Sequence, residues 1–101
     1  MKIEILTFEG CPNAQAAREL VERVVADTRV EADISFVNVP DAEAAERLRF
    51  LGSPTIRVDG RDIEPGGDDR TEYALACRVY RTEKGTSGTP DESWLREALA
   101  A

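Results

Sequence analysis

Histidine is absent from the 101-residue sequence. Its absence removes Ser-His and Cys-His catalysis and every imidazole metal site. Cysteine is scarce: Cys11 and Cys77 are the two in the chain, too few for a closed four-ligand zinc site. No apolar run approaches the ~18 residues that a bilayer span requires. Basic residues are outnumbered, with 13 Lys and Arg against 20 Asp and Glu and a net charge of −7. That balance argues against a nucleic-acid partner, because binding to a phosphate backbone works through Lys and Arg releasing counterions. An acidic surface otherwise mainly keeps a small protein soluble. The remaining chemistry is that of thiols, carboxylates, two tyrosines and the backbone.

What is present describes one soluble globular domain. Apolar residues make up 42% and charged residues 33% of the chain. A chain of this length buries only about two-thirds of the surface its unfolded form exposes, enough for one core and no second lobe. Residues 1–101 are therefore expected to form a single domain. The start, Met1-Lys2-Ile3-Glu4-Ile5-Leu6, has one Lys and then an alternating strand pattern, which does not read as a secretion signal. The expectation is a cytoplasmic protein with reduced thiols, no membrane association and no cofactor.

Lys2 to Phe8 reads as a central strand, with Ile3, Ile5 and the Thr7 methyl on one face and Leu6 and Phe8 on the other. Glu9-Gly10 turns the chain. Cys11-Pro12 is expected to open a helix with Pro at its first position. Ala17, Leu20, Val21, Val24 and Val25 follow as an apolar stripe at helical spacing. Val30 to Val39 reads as a second strand, stopped by Pro40. Asp41 can cap a short helix carrying Ala44, Ala45, Leu48 and Leu51, with Gly52 as its left-handed terminator. Thr55 to Val58, the Asp59-Gly60 hairpin signal and Arg61 to Glu64 form a third strand and its return.

Beyond this point lies an insert over about residues 65–89. It begins with the polar loop Pro65-Gly66-Gly67-Asp68-Asp69-Arg70, and Thr82 to Thr89 reads as a second loop. Between them, Tyr73 to Arg81 is ambiguous: Leu75, Cys77 and Val79 alternate as in a strand, while Tyr73, Ala76, Cys77 and Tyr80 would share a helix face. The reading leans to an extended segment or a single irregular turn. In Thr89-Pro90-Asp91-Glu92 the chain carries a capping box that opens a last helix with Trp94, Leu95, Ala98 and Leu99. The fold class is α/β, in the order β-α-β-α-β-β-α with an inserted segment before the last helix.

Two motifs carry candidate chemistry. In Glu9-Gly10-Cys11-Pro12-Asn13-Ala14, a sulfur at a helix N-terminus would face unpaired N–H groups and the positive end of the dipole, which favour thiolate. Glu9 opposes this modestly. The alternative is that Cys11 replaces Ser as a small cap. In Gly52-Ser53-Pro54-Thr55-Ile56, the proline directly precedes a buried strand, where a cis peptide would fit a tight turn. The alternative there is a plain strand-starting proline.

Together the two motifs, separated by a β-α unit, resemble the thioredoxin superfamily, so the expected architecture is a thioredoxin-like fold. The resemblance implies that Pro54 lies against Cys11 and that the Ser53 backbone can pair with an extended thiol substrate. It marks Pro12, Asn13, Ser53, Pro54 and Thr55 as substrate-binding residues. The chain departs from that pattern at Ala14, where a Cys-x-x-Cys motif would have its second cysteine, so no local disulfide can form. Phe8 stands where peroxiredoxins carry Thr or Ser, and no glutathione pocket of the monothiol glutaredoxin kind is marked. The Phe-Glu-Gly-Cys-Pro-Asn, Leu-Gly-Ser-Pro-Thr and Cys-Arg-Val-Tyr segments are similar to those of small bacterial thioredoxin-family proteins sometimes labelled alkylmercury lyases. Some of these carry selenocysteine at the Cys11 position.

Cys77 lies in Ala74-Leu75-Ala76-Cys77-Arg78-Val79-Tyr80, an apolar setting typical of an inert buried cysteine. Alternatively it meets Cys11 as a resolving thiol or a second metal ligand. If the segment is extended, Arg78 points away from the sulfur. Three functions follow. The first is thiol redox chemistry, with Cys11 as nucleophile, Cys77 or an external thiol resolving the adduct, and a small-molecule or protein thiol or disulfide as partner. The second is a Cys11–Cys77 dithiolate for a soft metal or organomercurial, with Glu9, Asp68 and Asp69 as candidate proton donors. The third is a non-catalytic interaction module. Asp68, Asp69 and Glu72 match no calcium motif, and Tyr73, Tyr80 and Trp94 read as core or rim.

Overall fold

The computed structural model describes residues 1–100. Strand β1 (Lys2–Thr7) is covered on both faces, as its mixed pattern requires. Ile3 and Ile5 join one apolar cluster and Leu6 the other. The first cluster is built with helix α1 (Ala14–Thr28), whose Ala17, Leu20, Val21 and Val24 are buried, and with Leu95 and Leu99 of helix α3 (Glu92–Ala100). The second packs Leu6 and Val39 on Ala44 and Ala45 of the short helix α2 (Ala42–Arg47), and on Phe50. Helices therefore cover both faces of one sheet. Among the described residues, no helix is long and apolar enough to cross a membrane.

The sheet has the order β2-β1-β3-β4, with β2 at Asp33–Asn38, β3 at Thr55–Val58 and β4 at Arg61–Asp62. The α1 connection makes β1 and β2 parallel, with Ile3 opposite Ile34. β1 and β3 run antiparallel, with Leu6 opposite Thr55, and β4 returns antiparallel to β3.

Several boundaries differ from the sequence reading. α1 starts at Ala14 rather than Cys11, because the chain closes a turn first. Gly10 has φ 88°, the Cys11 N–H donates to the Phe8 carbonyl at 3.2 Å, and Asn13 is the N-cap residue. Pro12 thus lies ahead of the helix. Asp41 does cap α2, accepting from the Ala44 N–H at 2.8 Å. Gly52 does not end that helix. α2 stops at Arg47, Arg49 is left-handed (φ 55°), and the Arg57 guanidinium donates to the Leu48 and Arg49 carbonyls at 2.7 and 2.9 Å. A cation satisfies the carbonyl end where a glycine was expected.

The end of the Tyr73–Arg81 segment and the stretch from Thr82 expected as a second loop form a hairpin, β5 (Tyr80–Thr82) and β6 (Gly85–Ser87). The capping box also shifts. Thr89 turns back to the Ser87 hydroxyl, while the Asp91 carboxylate accepts from the Ser93 N–H at 2.8 Å and starts α3. Arg96 bridges Asp27 of α1 and Glu92 of α3, each at 2.8 Å, and Arg23 reaches Glu92 at 2.6 Å.

Candidate functional site

Cys11 sits where β1 gives way to α1. Its N–H closes on Phe8 and its carbonyl accepts from the Ala14 N–H at 3.3 Å, leaving the residue half-buried at the end of the sheet. Asn13 follows, and its side chain makes no capping bond. It lies instead against Gly88. A Cβ at Gly88 would fall 2.2 Å from the Asn13 amide nitrogen, so any larger residue there would push the Asn13 side chain aside.

The β1–β3 register points toward a second part of this region. The last β1–β3 pair sets Leu6 opposite Thr55, so the strand that leads into the cysteine turn lies beside the strand that the Ser53–Pro54 loop opens. The Ser53–Pro54 peptide is cis, and Ser53, Pro54 and Thr55 are all buried. Ser53 itself pairs with residues 76–78. The Ser53 N–H donates to the Ala76 carbonyl at 2.8 Å, and the Arg78 N–H donates to the Ser53 carbonyl at 3.0 Å, an isolated parallel bridge pairing Ser53 with Cys77. Gly52 is required here: its φ is 124°, and a Cβ would lie 2.9 Å from the Arg78 Cβ and 3.0 Å from the Ala76 carbonyl. The segment 74–78 is thus a strap laid along the cis-proline loop, tied also by the Ala74 N–H to Phe50 at 3.0 Å.

Arg78 holds the strap down. Its side chain is 1% exposed, with its guanidinium 2.7 Å from Asp62, 2.8 Å from Glu64 and 3.0 Å from the Thr55 hydroxyl. It also lies 4.4 Å from the centre of the Tyr80 ring. Burial works against the Arg78 charge, but Tyr80, Asp62 and Glu64 outweigh it and raise its pKa above the ordinary arginine value. The Tyr80 hydroxyl donates to the Pro54 carbonyl at 2.5 Å, and burial pushes its ionisation well above the usual tyrosine range. Arg78 pointing inward turns Cys77 outward: Leu75, Cys77 and Val79 are exposed. The reading of Cys77 as a buried, inert cysteine is therefore corrected. An extended backbone anchored by an arginine displays it at the surface.

The other candidates are spread over the fold. Pro12 is exposed. Thr55 has its hydroxyl donated to the Gly52 carbonyl at 2.6 Å. Ser53 Oγ is buried and, among the described residues, has no hydrogen-bond partner. Asp68 accepts from the Asp62 N–H beside β4, and Glu9 is exposed next to the cysteine turn. Tyr80 is core and Trp94 packs near it, with ring centroids 6.1 Å apart. No group of three or more His, Cys, Asp or Glu side chains forms a metal cage among the described residues. A cavity of about 540 Å³ lies between α1, the hairpin and the start of α3, lined by Leu20, Arg23, Lys84 and Asp91 and not by either cysteine.

Arg78, Asp62, Glu64 and Gly88 escape the sequence reading. A signal for three of them was present. Arg78 is the one charge within an apolar run, and Asp62 and Glu64 alternate around Ile63 so that both carboxylates share a strand face.

A sheet flanked by helices on both faces, with a cysteine turn at its end and a cis-proline loop beside it, defines a thioredoxin-like α/β protein. A thioredoxin from Methanocaldococcus jannaschii is 31% identical over 65 residues, which cover 63% of this chain and 75% of that protein. The chain belongs to the thioredoxin family. No family model matches the chain, and no solved structure matches it.

Proposed function

We propose that the protein carries out thiol–disulfide exchange with Cys11 as the attacking thiol and Cys77 as the resolving thiol. The observation that supports this is the pairing made on residues 53–55. β1, which leads into the Phe8–Cys11 turn, pairs with β3 up to Leu6 opposite Thr55, and the Cys77 segment pairs with Ser53 at the start of that same strand. Family membership supports a thiol redox role in general.

Chemically, the Cys11 thiolate attacks one sulfur of a disulfide R–S–S–R, forming a Cys11–S–S–R mixed disulfide and releasing one thiolate, which takes up a proton. The Cys77 thiolate then attacks the Cys11 sulfur, forming Cys11–Cys77 and releasing the second thiol. Two electrons pass from the protein's thiols to the substrate. An external low-molecular-weight thiol or dithiol returns them and restores both cysteines. Ala14 removes the local partner that a Cys-x-x-Cys motif would supply, so in this reading Cys77 takes the place that a neighbouring cysteine would otherwise fill.

Intact-mass and peptide analysis after treating reduced protein with one equivalent of a low-molecular-weight disulfide tests this reading. The expected product has lost two hydrogens and contains a linked Cys11–Cys77 peptide. In Cys77→Ser the Cys11 mixed disulfide should accumulate instead. Equal reactivity in Cys11→Ser would overturn the proposal.

A further inference from the structure

We infer that the substrate of Cys11 is a small disulfide or a similarly compact electrophile, and that residues 74–78 exclude extended polypeptides from the site. This rests on the proposed role of Cys11. Extended chains are commonly recognised by adding a strand to an exposed backbone edge, with main-chain hydrogen bonds supplying the affinity. Ser53 opens β3, the strand that pairs with the end of β1 leading into the cysteine turn. At Ser53 the N–H is spent on Ala76 and the carbonyl receives the Arg78 N–H.

The strap does not merely brush this edge. Arg78 buries its guanidinium between Asp62, Glu64 and Thr55, Gly52 leaves no side chain to prop the strap away, and Tyr80 ties the next residues to Pro54. An incoming polypeptide would have to break both Ser53 hydrogen bonds, or add to the outer edge of the strap. The second choice moves it outward by one strand spacing, about 4.8 Å, away from the cysteine turn. A small disulfide needs no strand edge. It requires only approach to the half-exposed Cys11, and the backbone of residues 76–78 already takes the Ser53 edge with which an extended substrate would pair.

The rates of reduction of hydroxyethyl disulfide and of insulin, measured with the reduced full chain, test the inference. The small disulfide should react faster by about tenfold or more, since the polypeptide must first release two backbone hydrogen bonds. Arg78→Ala should narrow the gap by raising the insulin rate. If that variant does not fold, as judged by circular dichroism, Glu64→Gln loosens the same anchor and should narrow the gap by less. Equal rates in the unmodified protein, both lost in Cys11→Ser, would overturn the inference while leaving the role of Cys11 intact. A gap unchanged in a folded anchor variant would also overturn it. Rates that survive Cys11→Ser would instead sink the proposed function, and the inference with it.

Discussion

The Arg78 guanidinium and the Asp62 carboxylate meet at 2.7 Å with side-chain exposures of 1% and 4%. A pair so thoroughly removed from water is held by mutual attraction and by additional hydrogen bonds, here from Arg78 to Glu64 and Thr55. Its removal is costly for a specific reason: truncating the arginine leaves two carboxylates stranded in or near the core. Arg78→Ala is therefore expected to destabilise the fold by about 3–5 kcal/mol in urea denaturation. Arg78→Met combined with Asp62→Asn and Glu64→Gln should recover a large part of the loss, because no buried charge then lacks a partner. Failure of the triple variant to regain stability would mean that the ion pairs matter by more than mutual neutralisation.

Gly52 and the strap make a second, independent prediction. Gly52→Ala must place a Cβ within 2.9 Å of the Arg78 Cβ at a backbone angle that side chains rarely adopt. A loss of about 1–3 kcal/mol follows from strain and overpacking together. The local signature is faster hydrogen exchange at the Ser53 and Arg78 amides, measured under native conditions. If those two amides exchanged no faster while global stability fell, the glycine would matter to the loop and not to the strap.

Much of this arrangement was legible from the chain. The alternation of Ile3, Ile5 and Leu6 announced a strand buried on both faces, and the stripe from Ala17 to Val25 announced the helix covering it. Asp41 declared its cap. The places that misled were those where a distant residue took over a local task. Arg57 terminates α2 from the neighbouring strand, which no local pattern encodes. The β5–β6 hairpin was hidden because Thr82, Gly85, Thr86 and Ser87 give the polar, glycine-containing composition of a loop, with Tyr80 as its one buried residue. Cys77 resisted most. Its apolar neighbours suggested burial, and only the inward turn of Arg78 toward two carboxylates a strand away explains its exposure. The candidate site was legible as Cys11 plus Pro54, while the strap between Cys77 and Ser53 depends on a pairing with no sequence signature.

Asn13 and Gly88 predict a coupling between the hairpin and the cysteine turn. Gly88→Ala collides with the Asn13 amide, whose far end can move, so a loss of about 1–2 kcal/mol is expected. Asn13→Ala removes the obstacle, and the double variant should lose less than the sum of the two single changes. A double-mutant cycle by chemical denaturation measures this directly. Strict additivity would show that the two residues do not share a contact in solution.

At acid pH the link between α1 and α3 should weaken. Hydrogen bonds from Arg23 and then Arg96 hold the Glu92 carboxyl below its ordinary value of 4.5. A carboxylate with a depressed folded pKa adds stability above its unfolded pKa and loses it as pH falls through the folded one. Thermal melts should thus show a drop below about pH 4.5 that is smaller in Glu92→Gln. Because the group is exposed, added salt should shrink the difference between the two proteins. A pH profile identical in both would exclude Glu92 as a contributor.

Alkaline pH tests the opposite sign at Tyr80. Burial raises the pKa of its phenol, so the folded protein holds it neutral after an unfolded chain would have ionised it. Its contribution is complete below the unfolded value near 10 and is lost as pH rises toward the folded one. Stability should therefore decline above about pH 10, and the phenolate absorbance should contain a late component that appears together with unfolding. Tyr80→Phe should lack that late component, although it also removes the hydrogen bond to the Pro54 carbonyl and should lower stability at neutral pH by about 1–3 kcal/mol for the unsatisfied acceptor. If tyrosine ionisation in the unmodified protein finished before any loss of structure, the Tyr80 hydroxyl would have to reach solvent. The strap next to it could then not be the tight seal on Ser53 that excludes extended substrates.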